Sequence, residues 1–137
     1  MPPRLRSASD PGEWLRHARS NLSRCRSDCR LPEVLFEDLC FDAQQAAEKA
    51  IKAVLVLRGR RFPKTHDLAE LVTLVAATGV EVPLEVLEAK RLTPYAVAGR
   101  YPGVSEDASE QDYREALGIA EKVVAWAEGV VRERPAP

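Results

Sequence analysis

The residues best able to do chemistry crowd into one stretch, "RGRRFPKTHDL" (residues 58–68), where Arg60, Arg61 and Lys64 precede His66. A guanidinium can neutralise a phosphate or the charge that develops in phosphoryl transfer, and an imidazole, with an ordinary pKa of about 6.5, can move a proton at neutral pH. RNA cleavage needs little else, because the neighbouring 2′-hydroxyl is the nucleophile. An endoribonuclease reading therefore assigns Arg60 or Arg61 to the scissile phosphate and His66 to acid or base chemistry. The same stretch also reads as a junction between helices: His66 directly precedes Asp67, a residue type that caps helices, and can make ordinary hydrogen bonds at a helix start. A second candidate is "AGRYPG", in which Arg100 and Tyr101 can bind phosphate and stack on a base, or else anchor a loop by packing and hydrogen bonding. His17, set among arginines, reads as a surface residue.

Other chemistries lack their residues. Gly99 and Gly103 are not the closely spaced glycines of a phosphate loop between a strand and a helix, which disfavours ATPase and dehydrogenase chemistry. Histidines and carboxylates show no metal-ligand spacing, and no nucleophile, base and acid form a legible triad, so neither metal nor cofactor is expected. Cys25, Cys29 and Cys40 are odd in number and lie among helix formers, which argues against a secreted disulfide framework. Cys25 and Cys29 could share a helix face as two zinc ligands, but a closed site takes four; core packing as reduced thiols is the favoured reading.

The elements that must position these residues are helices. Asp10, Pro11 and Glu13 carry the cap, first-turn and cap-box chemistry of a helix start, and Trp14, Ala18, Leu22, Cys25 and Cys29 follow as one apolar stripe. From Pro32 to Leu57 no Gly or Pro interrupts a run of strong helix formers, which predicts the longest helix. Its main stripe is Leu35, Leu39, Ala43, Ala46, Ala50, Val54 and Leu57, with Gln44, Gln45, Glu48, Lys49 and Lys52 expected on solvated faces. Gly59 suits its C-cap. Asp67 and Glu70 open a third, shorter helix that ends at Gly79, and Pro83 opens a fourth, carrying Leu84, Val86, Leu87 and Leu92, which Pro94 ends or kinks. A Gly- and Pro-punctuated loop leads to a fifth helix with a seam at Tyr113, Leu117, Ala120, Val124, Ala127 and Val131. Nothing alternates with the period of a strand. The expected fold is an all-α antiparallel bundle of about five helices.

A length of 137 residues suits one domain, residues 1–137, with 1–9 and 133–137 frayed. The net charge is −1, too small for a bulk electrostatic case for nucleic acid or membrane. Its distribution is uneven: residues 1–66 hold 13 Lys and Arg against 8 acids, and residues 67–137 hold 7 against 13. Such asymmetry can make a basic face for phosphate or let two halves or two subunits attract each other. No apolar run reaches the roughly 18 residues of a membrane span, and the Arg-bearing start lacks the apolar core of a secretory signal, so a cytoplasmic protein without membrane association is expected.

"FDAQQAAEKAIKAVLVLRG", "FPKTHDLAELV" and "LTPYAVAGRYPG", in that order, closely resemble the HEPN domain (higher eukaryotes and prokaryotes nucleotide-binding) over about Trp14 to Val131. The resemblance implies a helical bundle that forms homodimers, often encoded beside a minimal nucleotidyltransferase partner. It implies members that act in toxin–antitoxin pairs as metal-independent ribonucleases, or as nucleotide- or RNA-binding modules. Active relatives carry an Arg, four to six residues and a His before the last long helix, where two subunits form one site. Arg100 matches that Arg, but Ser105, Glu106 and Asp107 stand where the His is required. The Arg60/Arg61 and His66 spacing is right but lies in an earlier connector. The leading expectation is therefore nucleotide or RNA binding through Arg100, Tyr101 and Lys64, with Arg60 and Arg61 as further contacts. The alternatives are the ribonuclease that uses His66, and a structural dimeric subunit without ligand.

Overall fold

The computed structural model describes residues 7–26, 32–96 and 107–133. They form helices α1 (Pro11–Cys25), α2 (Phe36–Leu57), α3 (Leu68–Ala77), α4 (Leu84–Leu87, continued as a 3-10 helix over Glu88–Ala96) and α5 (Glu110–Arg132). No strand occurs among the described residues. The fold is the expected all-α antiparallel bundle, and none of the described helices is long and apolar enough to cross a membrane.

The helix ends follow local chemistry. Asp10 accepts from the Gly12 amide at 2.9 Å, with Pro11 in the first turn of α1. Asp67 accepts from the amides of Ala69 (3.1 Å) and Glu70 (3.3 Å) at the start of α3. Ser109 and Asp112 form a reciprocal capping box on α5. Gly59 closes α2 with φ +66° while its amide bonds Val56 O (3.0 Å) and the Arg60 amide bonds Leu55 O (2.9 Å). That pair of bonds is a Schellman motif, and the left-handed residue within it favours glycine. α2 begins at Phe36 rather than Pro32, with Leu35 extended at the cap position and more than half exposed, so that at 22 residues it is one shorter than α5 and not the longest helix as expected.

α2 is the axis of the bundle, packed against α1, α3, α5 and the 3-10 segment. Its buried residues run from Leu39 to Leu55 on nearly every face. Alanines at 43, 46, 47, 50 and 53 let those neighbours approach. This corrects the expectation that Gln44, Glu48 and Lys52 are solvated, because all three are buried. In α1 the inward face is Leu15, Ala18, Asn21, Leu22 and Cys25, with Trp14 half-buried at its edge. In α5 it is Ala116, Ile119, Ala120, Val123, Val124 and Ala127, so the expected seam is fully buried at Ala120, Val124 and Ala127, while its Tyr113, Leu117 and Val131 pack half-buried against the core. Tyr113 instead stacks on Phe36 (5.7 Å between centroids) and donates to Cys25 O at 2.7 Å. In α4 and its continuation, Val86, Ala89, Leu92 and Ala96 turn inward, and Leu84 and Leu87 face outward. Pro94 lies inside the 3-10 helix.

Cys25 and Cys40 are free thiols in the core, and burial pushes each up to about 12, as inert reduced cysteines require. Cys29 lies outside the described residues.

Candidate functional site

The site is built on the polar face of α2. Gln44, Glu48 and Lys52 follow one another at four-residue steps, so their side chains line one side of the helix. Glu48 is the hub. Its Oε1 accepts from Gln44 Nε2 (2.9 Å) and lies 2.7 Å from His66 Nδ1, and its Oε2 accepts from Lys52 Nζ (2.9 Å). Gln45 Nε2 extends the chain by donating to Gln44 Oε1 at 2.6 Å. Burial alone would push the Glu48 carboxyl up, but the bonds from Lys52, Gln44 and His66 together hold it below the usual carboxylate range. The hub is therefore ionised at neutral pH.

His66 crosses from the connector to reach it. The Glu48 side chain is 6% exposed and that of His66 60%, so the ring spans the boundary between core and solvent. A carboxylate only accepts, which makes Nδ1 the donor and leaves Nε2 without a protein partner among the described residues. A neutral ring so held presents a basic nitrogen outward, and a protonated one presents an N–H. Phe62 fixes the other half of the connector. Its ring meets Trp14 edge-on (5.9 Å, 83°) and lies 5.3 Å from Lys52 Nζ. Trp14 is held in turn by donating Nε1–H to Ala8 O at 2.7 Å, so the chain is already tied down at Ala8, within the stretch expected to fray.

Between these anchors, Arg60, Arg61 and Lys64 are exposed and make no side-chain hydrogen bond or ion pair among the described residues. Arg58 differs, donating Nη2 to Thr78 O at 2.8 Å. His66 is thus a hydrogen-bonded residue at a helix start, and its exposed imidazole is oriented by a buried carboxylate that the sequence did not point to. Arg100 and Tyr101 lie outside the described residues. His17 is an exposed residue 3.2 Å from Glu13, as expected.

Glu48, Gln44 and Lys52 are the functional candidates that periodicity missed. Their i, i+4 spacing was visible, but it is equally the spacing of solvated helical ion pairs. A second polar cluster covers the α1 side of the same helix. Asp42 accepts from Asn21 Nδ2 (3.1 Å) and pairs with Arg24, while Lys49 Nζ donates to Asn21 Oδ1 at 2.8 Å. Burial holds the Lys49 ammonium below its ordinary pKa, only partly offset by Glu48. No group of three or more His, Cys, Asp and Glu able to hold a metal occurs among the described residues.

Comparison with known proteins identifies the fold and the family. TT1696 from Thermus thermophilus is a similar solved structure, 31% identical over 88% of this chain and 97% of that one, with a TM-score of 0.75. The fold is shared also with ST0689, an archaeal HEPN homologue, at 24% identity, 88% and 96% coverage and a TM-score of 0.65. No curated protein matches the chain. The family model of the HEPN domain matches residues 12–130, and with most of the sequence so covered, the chain belongs to the HEPN domain family.

Proposed function

We propose that this chain is a nucleotide- or RNA-binding HEPN module whose phosphate-binding surface is the α2–α3 connector. The observation that carries the reading is the Glu48-held imidazole of His66, its Nε2 open to solvent, in the same short connector as Arg60, Arg61 and Lys64, which no acid of the described residues neutralises. Cations without acidic partners favour an external anion, and guanidinium and imidazole groups donate well to phosphate oxygens. Arg100 and Tyr101 add a phosphate contact and a stacking surface. The module works in the cytoplasm as a homodimer of single-domain chains, with a minimal nucleotidyltransferase as partner in a toxin–antitoxin-type pair.

A second reading draws on the same hydrogen bond. A carboxylate that fixes Nδ1–H leaves Nε2 to take the proton from a 2′-hydroxyl, with Arg60 or Arg61 on the scissile phosphate, and so supports a metal-independent endoribonuclease. One experiment separates the two. Binding of single-stranded RNA and of mononucleotides is measured beside RNA cleavage for wild type, His66→Ala, Arg100→Ala and the Arg60→Ala/Arg61→Ala pair. The binding module predicts weaker binding in the arginine variants, a salt slope shallower by about 0.7 per lost phosphate contact, and no cleavage in any sample. Cleavage that disappears in His66→Ala and falls sharply in the Arg60→Ala/Arg61→Ala pair, but survives in Arg100→Ala, establishes the ribonuclease. Wild-type binding in every variant sinks the site, and no binding at all leaves a structural subunit without ligand.

A further inference from the structure

An open cleft of about 1160 Å³ lies at another part of the bundle, between the C-terminal ends of α2 and α5 and the α3–α4 connector. Its walls include half-buried Leu57, Val80, Pro83, Trp126 and Val130. Ala125 and Gly129, one turn apart on α5, keep it wide, and a Cβ built on Gly129 would meet nothing within 4 Å. Pro83 leads directly into Leu84, 82% exposed, and α4 also leaves Leu87 outward. Apolar side chains in a cleft open to solvent, with exposed leucines on the element that borders it, offer a partner apolar area to cover.

Electrostatics narrows the occupant. The C-cap residues of α2 (Arg58) and α5 (Glu133) both line the cleft, and Arg58 donates to the carbonyl of Thr78, the C-cap of α3. Three helices thus turn their negative ends toward one place. The one N-terminus there among the described residues belongs to α4, which has only four α-helical residues. Glu81 and Glu133 line the cleft with no ion-pair partner among the described residues, and Glu85 adjoins Leu84. The resident cation, Arg58, is already engaged by a carbonyl. An apolar trough with an acidic rim and converging helix C-termini is complementary to a helix with one apolar face and Lys or Arg along its margins.

We propose that this cleft docks a basic amphipathic helix of a partner protein. The test uses synthetic helices about 15 residues long, roughly four turns: a Leu/Lys amphipath, its Leu/Glu counterpart and a Leu/Lys sequence scrambled to remove the apolar face. Binding is followed by calorimetry and by NMR of the full chain, in which the indole N–H of Trp126 reports on the cleft. The Leu/Lys amphipath is expected to bind and shift Trp126 and Val130, and the other two peptides are not. Gly129→Leu fills the cleft and replaces a helix-interior glycine with a better helix former, so it should fold at least as well while weakening binding about tenfold or more. Glu81→Lys with Glu133→Lys should weaken it similarly. The proposal is overturned if no peptide binds, if the acidic or scrambled peptide binds equally well, or if neither variant changes the affinity. It is overturned too if Gly129→Leu dissociates a dimer of the protein alone in sedimentation, which would give the cleft to a second copy.

Discussion

Replacing Glu48 with glutamine removes one charge from the centre of the site and almost no volume. Three donors lose their acceptor or have it weakened. Lys52, whose side chain is 10% exposed, loses its carboxylate at 2.9 Å, and Gln44 and His66 keep only a neutral amide oxygen. Removing one partner of a buried ion pair costs about 3–5 kcal/mol, since the remaining charge is left without compensation. The new amide oxygen still accepts one hydrogen bond, which returns about 1 kcal/mol. The expected loss is therefore about 2–4 kcal/mol, a large share of the roughly 5–15 kcal/mol typical of a domain. Urea unfolding at pH 7, followed by circular dichroism, measures it. The pH dependence supplies a second check, with His66→Ala as the background so that imidazole titration does not intrude. The folded-state carboxyl lies below its ordinary value, so the contribution of Glu48 is fully present above the unfolded pKa of about 4.3 and is lost as pH falls through the lower folded value. The stability gap between the parent protein and its Glu48→Gln variant should be constant above about pH 5.5 and close on further acidification. Adding Lys52→Met to Glu48→Gln should recover part of the loss by removing the stranded charge. A loss below about 1 kcal/mol, or a gap that widens in acid, would refute the hub.

Further consequences follow from the same geometry. His66→Ala should cost less than about 1 kcal/mol, because the ring is mostly exposed, so any loss of RNA binding or cleavage in it reflects the site and not unfolding; a thermal melt decides. Gly59→Ala forces a side chain to φ +66° and should destabilise by about 1–2 kcal/mol in urea, and an unchanged midpoint would mean the α2 terminus relaxes at no cost. Ser109→Ala opens the capping box of α5 and should cost about 1 kcal/mol by the same assay. Cys25 and Cys40, buried with thiols pushed up to about 12, should react with a disulfide reagent at about pH 8 only as fast as the protein opens, and rapid labelling of either in the native state would contradict their placement.

Local chemistry was legible in the sequence, and so was the fold class. The Asp10 and Asp67 caps, Gly59 at the close of α2 and the long uninterrupted α2 depend on a few neighbouring residues, and sequence carries that information directly. The seams were partly legible: periodicity identified Ala18, Leu22, Ala43, Ala50 and Val124 as inward and placed Trp14 and Tyr113 against the core, where they are half-buried, but it missed the fully buried Leu15 and Ala116, because the step from one apolar residue to the next does not say which of two neighbours points to the centre. Tertiary structure alone decided the fate of the polar side of α2. Gln44, Glu48 and Lys52 are spaced as solvated pairs would be, yet all three are buried, with the connector laying Phe62 near Lys52 and His66 on Glu48. His66 meets a carboxylate 18 positions earlier, a partnership that no spacing rule encodes. Sequence by itself determined which residues could donate, accept or carry charge; which of them were taken out of water, and therefore held in one orientation, depended on what packed above them.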